Sequence, residues 1–240
     1  MSLQRISIVN AKGGSGKSTI AMNLAVFFAS AHHRTVILDY DPQGSCYHWN
    51  RQRPACCTEI DVRDAINLQS KQTRTFQLSL PVGIEHLIMD TPAGLADARL
   101  SLFLQKSDIV LVPVAASALD VQASGQFLRS LMNEPRLRSG QVRVGVIINR
   151  LRSGMSVYKP LMQMLDSLQV PVIASLSDSQ AYITLAERGM GVHDPSDLSL
   201  NKERNEWLPI ARWLSLADSG IERPNKPSVH FTPKLISNAQ

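Results

Sequence analysis

The sequence is poor in cysteine and in aromatic residues, and it has no long apolar run. Its three cysteines, Cys46, Cys56 and Cys57, include no CxxC spacing and cannot close a disulfide set, so reduced thiols are expected. Aromatic residues make up 5% of the chain, and no strand-like segment carries the aromatic face that stacks single-stranded nucleic acid or RNA. No stretch approaches the roughly 18 apolar residues of a membrane-spanning helix. Met1-Ser2-Leu3-Gln4-Arg5 runs directly into a strand-like segment, without the charged and apolar regions of a signal peptide. A cytoplasmic protein is expected. His32-His33 makes a poor metal pair, because adjacent side chains on a helix diverge.

What is present is an ordinary globular composition, 44% hydrophobic and 19% charged, in a chain long enough to build a sizeable core. Arg5–Asn10 reads as a first strand, and short continuous apolar runs recur at Thr35–Leu38, Ile84–Met89, Ile109–Val114, Val142–Ile148 and Val170–Ala174. Such runs mark strands covered on both faces, as in parallel sheets. Between them lie helical stretches at Ser18–Ala31, Leu95–Gln105, Ala118–Met132, Val157–Leu168, Ala181–Arg188 and Lys202–Leu216. The alternation predicts an α/β fold, a doubly wound and mostly parallel sheet with helices on both faces. Residues 51–80 are polar, with a short helix expected near Val62–Leu68. One domain is expected over 1–219, followed by an extended or disordered tail at 220–240 that contains Pro224, Pro227 and Pro233.

The segment Lys12-Gly13-Gly14-Ser15-Gly16-Lys17-Ser18-Thr19 joins the first strand to the first helix, which is the setting of a phosphate-binding P-loop. Its glycines let successive backbone N–H groups turn inward where a Cβ would obstruct them. The adjoining helix start favours an anion. Lys17 is placed to reach the β- and γ-phosphates of ATP, and the Ser18 hydroxyl to ligate Mg²⁺. The loop departs from the usual form: Ala11 stands where a first glycine is common, and a second lysine, Lys12, comes early. Two lysines exceed the need of one triphosphate, so one of them could serve a second nucleotide; a solvated loop cation is the simpler alternative.

The KGGxGK[ST] loop resembles the deviant Walker A motif of the ParA/MinD superfamily, ATPases that dimerise around two sandwiched ATP molecules. The resemblance implies that Lys12 crosses to the partner's phosphates. Val36-Ile37-Leu38-Asp39-Tyr40-Asp41-Pro42-Gln43 is similar to the family's DxDPQ motif. It implies that Asp41 positions or activates the attacking water and that Asp39 lies near the magnesium shell, although Asp41 also suits a turn cap. His86-Leu87-Ile88-Met89-Asp90 ends like a Walker B strand, with Asp90 toward Mg²⁺, and Thr91-Pro92-Ala93-Gly94 resembles switch II. Val112–Asp120 matches more loosely, with Ala116 where a second proline is frequent. Asn149 and Arg150 become the candidates for base contacts; a polar strand end is the alternative.

Within the superfamily, the cysteines all precede Asp90 and leave no CxxC, which argues against iron proteins and cluster carriers. The proline-containing end opposes the basic amphipathic helix of a MinD-like membrane-associated ATPase, which stays the alternative reading. A strand beginning by Arg5 leaves no space for an N-terminal helix-turn-helix. The expectation is a short ParA-type ATPase with slow, partner-stimulated hydrolysis. It would form an ATP-dependent homodimer, bind double-stranded DNA nonspecifically on the nucleoid, and respond to a ParB-like or cargo-adaptor protein. The net charge of +5 permits DNA contact, and basic residues crowd 129–152. Arg150, Arg152, Lys159, Arg188 and Arg204 are the candidate phosphate contacts, or else solvated helix faces.

Overall fold

A computed structural model describes residues 3–66, 80–95, 97–152 and 154–215. The strands are β1 (Gln4–Ile8), β2 (Thr35–Asp39), β3 (Asp61–Asp64), β4 (His86–Asp90), β5 (Ile109–Ala115), β6 (Arg143–Leu151) and β7 (Val172–Ser177). They form one seven-stranded sheet in the order β3-β2-β4-β1-β5-β6-β7, every pairing parallel. The helices are α1 (Lys17–Ser30), α2 (Ser45–Arg51), α3 (Asp97–Gln105), α4 (Ala118–Met132), α5 (Pro135–Arg138), α6 (Tyr158–Ser167), α7 (Gln180–Ala186) and α8 (Asn201–Ser215).

Alternation along the strands divides the core in two, because successive side chains leave opposite faces. On one face Ile6, Ile8, Ile37, Ile88, Leu111 and Ile147 pack under α1, α2, α7 and α8. On the other, Val36, Leu38, Met89, Val112 and Ile148 pack under α3, α4 and α6. Helix α1 is apolar nearly all round because it lies over the centre of the sheet, with Ile20, Ala21, Leu24, Ala25 and Val26 buried. Truncating Leu24 to Ala should cost about 2–5 kcal/mol through lost burial and the cavity left behind. The helix stops at Ser30, and His32 takes a left-handed φ of 64° just beyond it, so His32 and His33 stand outside the helix.

The expected short helix near Val62–Leu68 starts later than expected: Asp61–Asp64 is edge strand β3, in register with Val36–Asp39 of β2, and the chain turns helical at Ala65 and Ile66, where the described residues stop. The side chains of β3 are only half-buried. An edge strand of this kind needs no apolar run, which hid it in the sequence. Helix α2 was also missed, being short and mixed in character. Leu68 and the expected tail at 220–240 lie outside the described residues. Among the described residues no helix is long and apolar enough to cross a membrane.

Candidate functional site: a phosphate-binding loop at the strand ends

Strand β1 lies between β4 and β5, and the chain leaves it toward β2 on one side and returns from β4 to β5 on the other. This reversal of strand order opens a crevice at the carboxyl ends, where ligands of open α/β sheets bind. Residues 10–18 occupy that crevice. Gly14 and Gly16 hold φ of 75° and 95°, conformations that side chains rarely adopt. A Cβ on Gly16 would also collide with the amide of Asn149, whereas Gly14 faces open space.

Asn10 holds the entry to the loop. Its buried amide donates to the Pro113 carbonyl at 2.7 Å and to Ser124 Oγ at 3.1 Å, and its Oδ1 accepts from the Lys12 N–H at 3.0 Å. Lys17 is buried, and its Nζ donates to the Lys12 carbonyl at 3.4 Å. Burial lowers its pKa, against the opposing pull of Asp90 and Asp41. The loop thus places a cation beside two carboxylates. Switch-like Thr91 donates to the Ile8 carbonyl at 2.8 Å, and the Gly94 N–H donates to the Ala11 carbonyl at 2.8 Å, which ties that segment to β1 and the loop.

The carboxylates come from strand ends in register: Asp39 of β2 pairs with Asp90 of β4, and Asp90 with Ile8 of β1. Asp39 accepts from the Asp41 N–H at 3.1 Å and the Tyr47 N–H at 3.0 Å; burial still raises its pKa. Asp90 is fully buried, and burial pushes its pKa up to about 7, against a hydrogen bond from Ser18 and the Lys17 charge. Asp41 is half-buried, and its Oδ1 accepts from the Gln43 N–H at 2.9 Å, so it does make the turn contact its sequence suggested. Its other oxygen is uninvolved in that turn.

Two buried polar atoms at this edge, Asp90 Oδ1 and Ser15 Oγ, have no hydrogen-bond partner among the described residues. Such atoms carry a desolvation cost unless a ligand meets them. A magnesium ion held through Ser18 and Asp90, with Asp39 alongside, would satisfy the first. A phosphate oxygen would satisfy the second. The residues present therefore fit both ATP and Mg²⁺.

The sequence also named Asn149 and Arg150. Asn149 is buried, and its Nδ2 donates to the Ser15 carbonyl at 3.0 Å while its Oδ1 accepts from the Arg150 N–H. A register irregularity between Ile148 and Leu151, with Arg150 at φ 55°, swings that amide onto the loop. Asn149 therefore buttresses the loop, and Arg150 is exposed nearby. Among the expected DNA contacts, Lys159 and Arg188 are exposed. Arg152 pairs with Asp178, its Nε donating at 2.7 Å. Arg204 is spent on the fold, its guanidinium donating to the carbonyls of Val192 and Pro195. Sequence reading missed Asn10, which only its cross-sheet partners reveal, and Cys46, whose thiol lies 3.3 Å from Asp90 Oδ2.

The family model of the CobQ/CobB/MinD/ParA nucleotide binding domain matches residues 6–192. The chain belongs to this family. Its relatives include maintenance of carboxysome distribution protein A of Halothiobacillus neapolitanus, 25% identical over 173 residues, which are 71% of this chain and 77% of that protein. The protein of the same name from Gloeobacter kilaueensis is 32% identical over 116 residues, which are 48% of this chain; this chain spans about half of that relative, 51%. Among solved structures, a plasmid partition protein from Borrelia burgdorferi bound to AMPPNP superposes with a TM-score of 0.66 at 17% identity, covering 88% of this chain and 100% of that one. That likeness concerns the fold. In this chain residues 10–18 form the loop between β1 and α1, with Asp41 and Asp90 close to its Lys17 and Asp39 in register with Asp90.

Proposed function

We propose that this chain is a ParA-type positioning ATPase that dimerises on ATP, binds duplex DNA without sequence preference and moves or spaces a cargo through an adaptor protein. The observation that carries the reading is the doubled lysine of the loop. Lys17 is buried against Asp90 and Asp41, whereas Lys12 sits half-exposed five positions earlier. The names of the relatives, carboxysome distribution and plasmid partition, support the cargo-positioning part.

In this reading Lys17 and the loop N–H groups hold the β- and γ-phosphates. Ser18 and Asp90 would hold the magnesium, which would supply positive charge to offset that of the phosphates. Asp41, anchored by one oxygen in its turn, uses the other to orient water for attack. Asn10 fixes the Lys12 backbone, and in the dimer the Lys12 side chain reaches the triphosphate of the second subunit. There it makes a charge-assisted contact shielded from solvent. Dimerisation then brings two sets of exposed cations, Arg150, Lys159 and Arg188 among them, onto one DNA face. Loss of the γ-phosphate ends the crossed contact and releases the DNA. Intrinsic turnover is slow, and the adaptor accelerates it.

Fluorescence anisotropy with two unrelated duplexes tests this reading. With ATP and Mg²⁺ both should bind about equally and weaken steeply as salt rises. With ADP neither should bind. Strong preference for one sequence, or equal binding in ADP, would remove the DNA-carrier reading.

A further inference from the structure

Cys46 lies in the first turn of α2, fully buried, with its Sγ 3.3 Å from Asp90 Oδ2 and 3.9 Å from the Ser18 carbonyl. Asp39, Cys46 and Asp90 each bring one ligand atom into a group whose members all lie within 4.8 Å of one another. Asp90 Oδ1, in the same fully buried carboxylate, has no hydrogen-bond partner among the described residues. A thiol at this place does nothing for magnesium, which takes oxygen ligands. It suits a softer ion. A tetrahedral zinc, with bonds of about 2.3 Å to sulfur and about 2.0–2.2 Å to carboxylate oxygen, sets its sulfur and oxygen ligands about 3.5 Å apart. The Cys46–Asp90 separation needs almost no adjustment to meet that.

We propose that Cys46, Asp90 and Asp39 form a binding site for a thiophilic divalent cation, zinc above all, that takes Asp90 away from magnesium. Three protein ligands leave a fourth position for water. Coordination releases the thiol proton to solvent, and thiolate with carboxylate then prefers zinc over magnesium. Zinc held here blocks the magnesium position and turns the nucleotide site off. Binding of the ion itself stands apart from the proposed ATPase cycle; only the competition with magnesium rests on it.

The test uses the full chain without nucleotide, titrated with cobalt(II) as a spectroscopic stand-in and then with zinc. Wild type should show the near-ultraviolet thiolate-to-cobalt absorption at one ion per chain, displaced by zinc. The Cys56→Ala/Cys57→Ala double variant should match it. Cys46→Ala should lose the band and bind zinc at least about tenfold more weakly, the least that losing even an outer partner costs. Cys46→Ser, closer in size, should also lose the band and guards against a folding defect. A band that survives in both Cys46 variants, that vanishes in the Cys56/Cys57 double variant, or that never forms in wild type overturns the site. In a second arm, zinc should weaken binding of Mg²⁺ with an ATP analogue to wild type and leave Cys46→Ala unaffected. An intact cobalt band without that competition would overturn the exclusion of magnesium. A band in a protein that binds no ATP at all would leave the metal site standing and fell the ATPase reading instead.

Discussion

The two ends of this sheet hold their charges in opposite ways. At the carboxyl ends of β1, β2 and β4, Lys17, Asp39 and Asp90 are buried together, close enough to shift one another's protonation. On β6 and α8 and in the segments just after β6 and α7, the arginines are spread out and each does something different. Arg143 stacks on Trp213 with 4.1 Å from guanidinium to ring centroid, Arg152 pairs with Asp178, Arg204 binds backbone carbonyls, and Arg188 is exposed. A buried charge cluster is expensive unless a ligand completes it, so composition at the first end speaks directly of function. At the second end the same residue type serves packing, pairing or solvation, and composition alone does not separate these.

Variants can sharpen this contrast. The largest effect should come from Asp41→Asn, which keeps an acceptor for the Gln43 N–H but removes the charge. ATP binding should persist and hydrolysis fall by about a hundredfold or more, read by phosphate release. Equal loss of binding would make Asp41 a structural residue. Lys17→Ala should weaken ATP binding by roughly tenfold to a hundredfold, the range for a lost hydrogen bond to a charged group, read by titration with a fluorescent analogue. In the other region, Arg204→Ala should lower stability by about 1–3 kcal/mol in urea unfolding, because it strips buried carbonyls of their donor. Arg188→Ala should leave stability unchanged and make the salt dependence of DNA binding shallower, by about one unit of slope for each phosphate the arginine neutralises. The reverse pattern would erase the distinction between the two arginines.

A further contrast is a pH slope. Burial holds the His193 imidazole down to about 4, with the Arg204 charge adding to the effect and Asp194 opposing it. The unfolded chain takes up that proton near 6.5. Between the two values the unfolded state binds more protons, so stability is full above about 6.5, falls as the pH drops toward 4, and levels off below. His193→Phe should flatten that part of the urea-midpoint profile; an unchanged slope would assign it to other groups.

The parallel sheet was legible because strands covered on both faces must be apolar throughout, as Val36–Leu38 and Val110–Val112 are. The phosphate loop was legible because its chemistry is local: glycines, a lysine and a hydroxyl in one turn. Strand β3 was not, because Asp61-Val62-Arg63-Asp64 sits at an edge and buries little. Asn10 and Asn149 were opaque as loop supports because their partners lie 103 to 134 positions away, at Pro113, Ser124 and Ser15. Cys46 read as an unremarkable thiol because its neighbour Asp90 arrives from another strand. Arg204 read as a free cation because nothing in a helix sequence marks carbonyls approaching from a preceding loop.

In the proposed mechanism Lys12 acts on a second subunit while Lys17 acts on its own. Sedimentation velocity of Lys12→Ala with Mg²⁺ and a nonhydrolysable ATP analogue addresses it most directly, alongside a binding titration of the same variant. The wild-type chain should dimerise, and Lys12→Ala should stay a monomer that still binds nucleotide and has lost DNA binding. A Lys12→Ala chain that dimerises like wild type would confine that lysine to its own subunit and contradict the crossed-dimer mechanism.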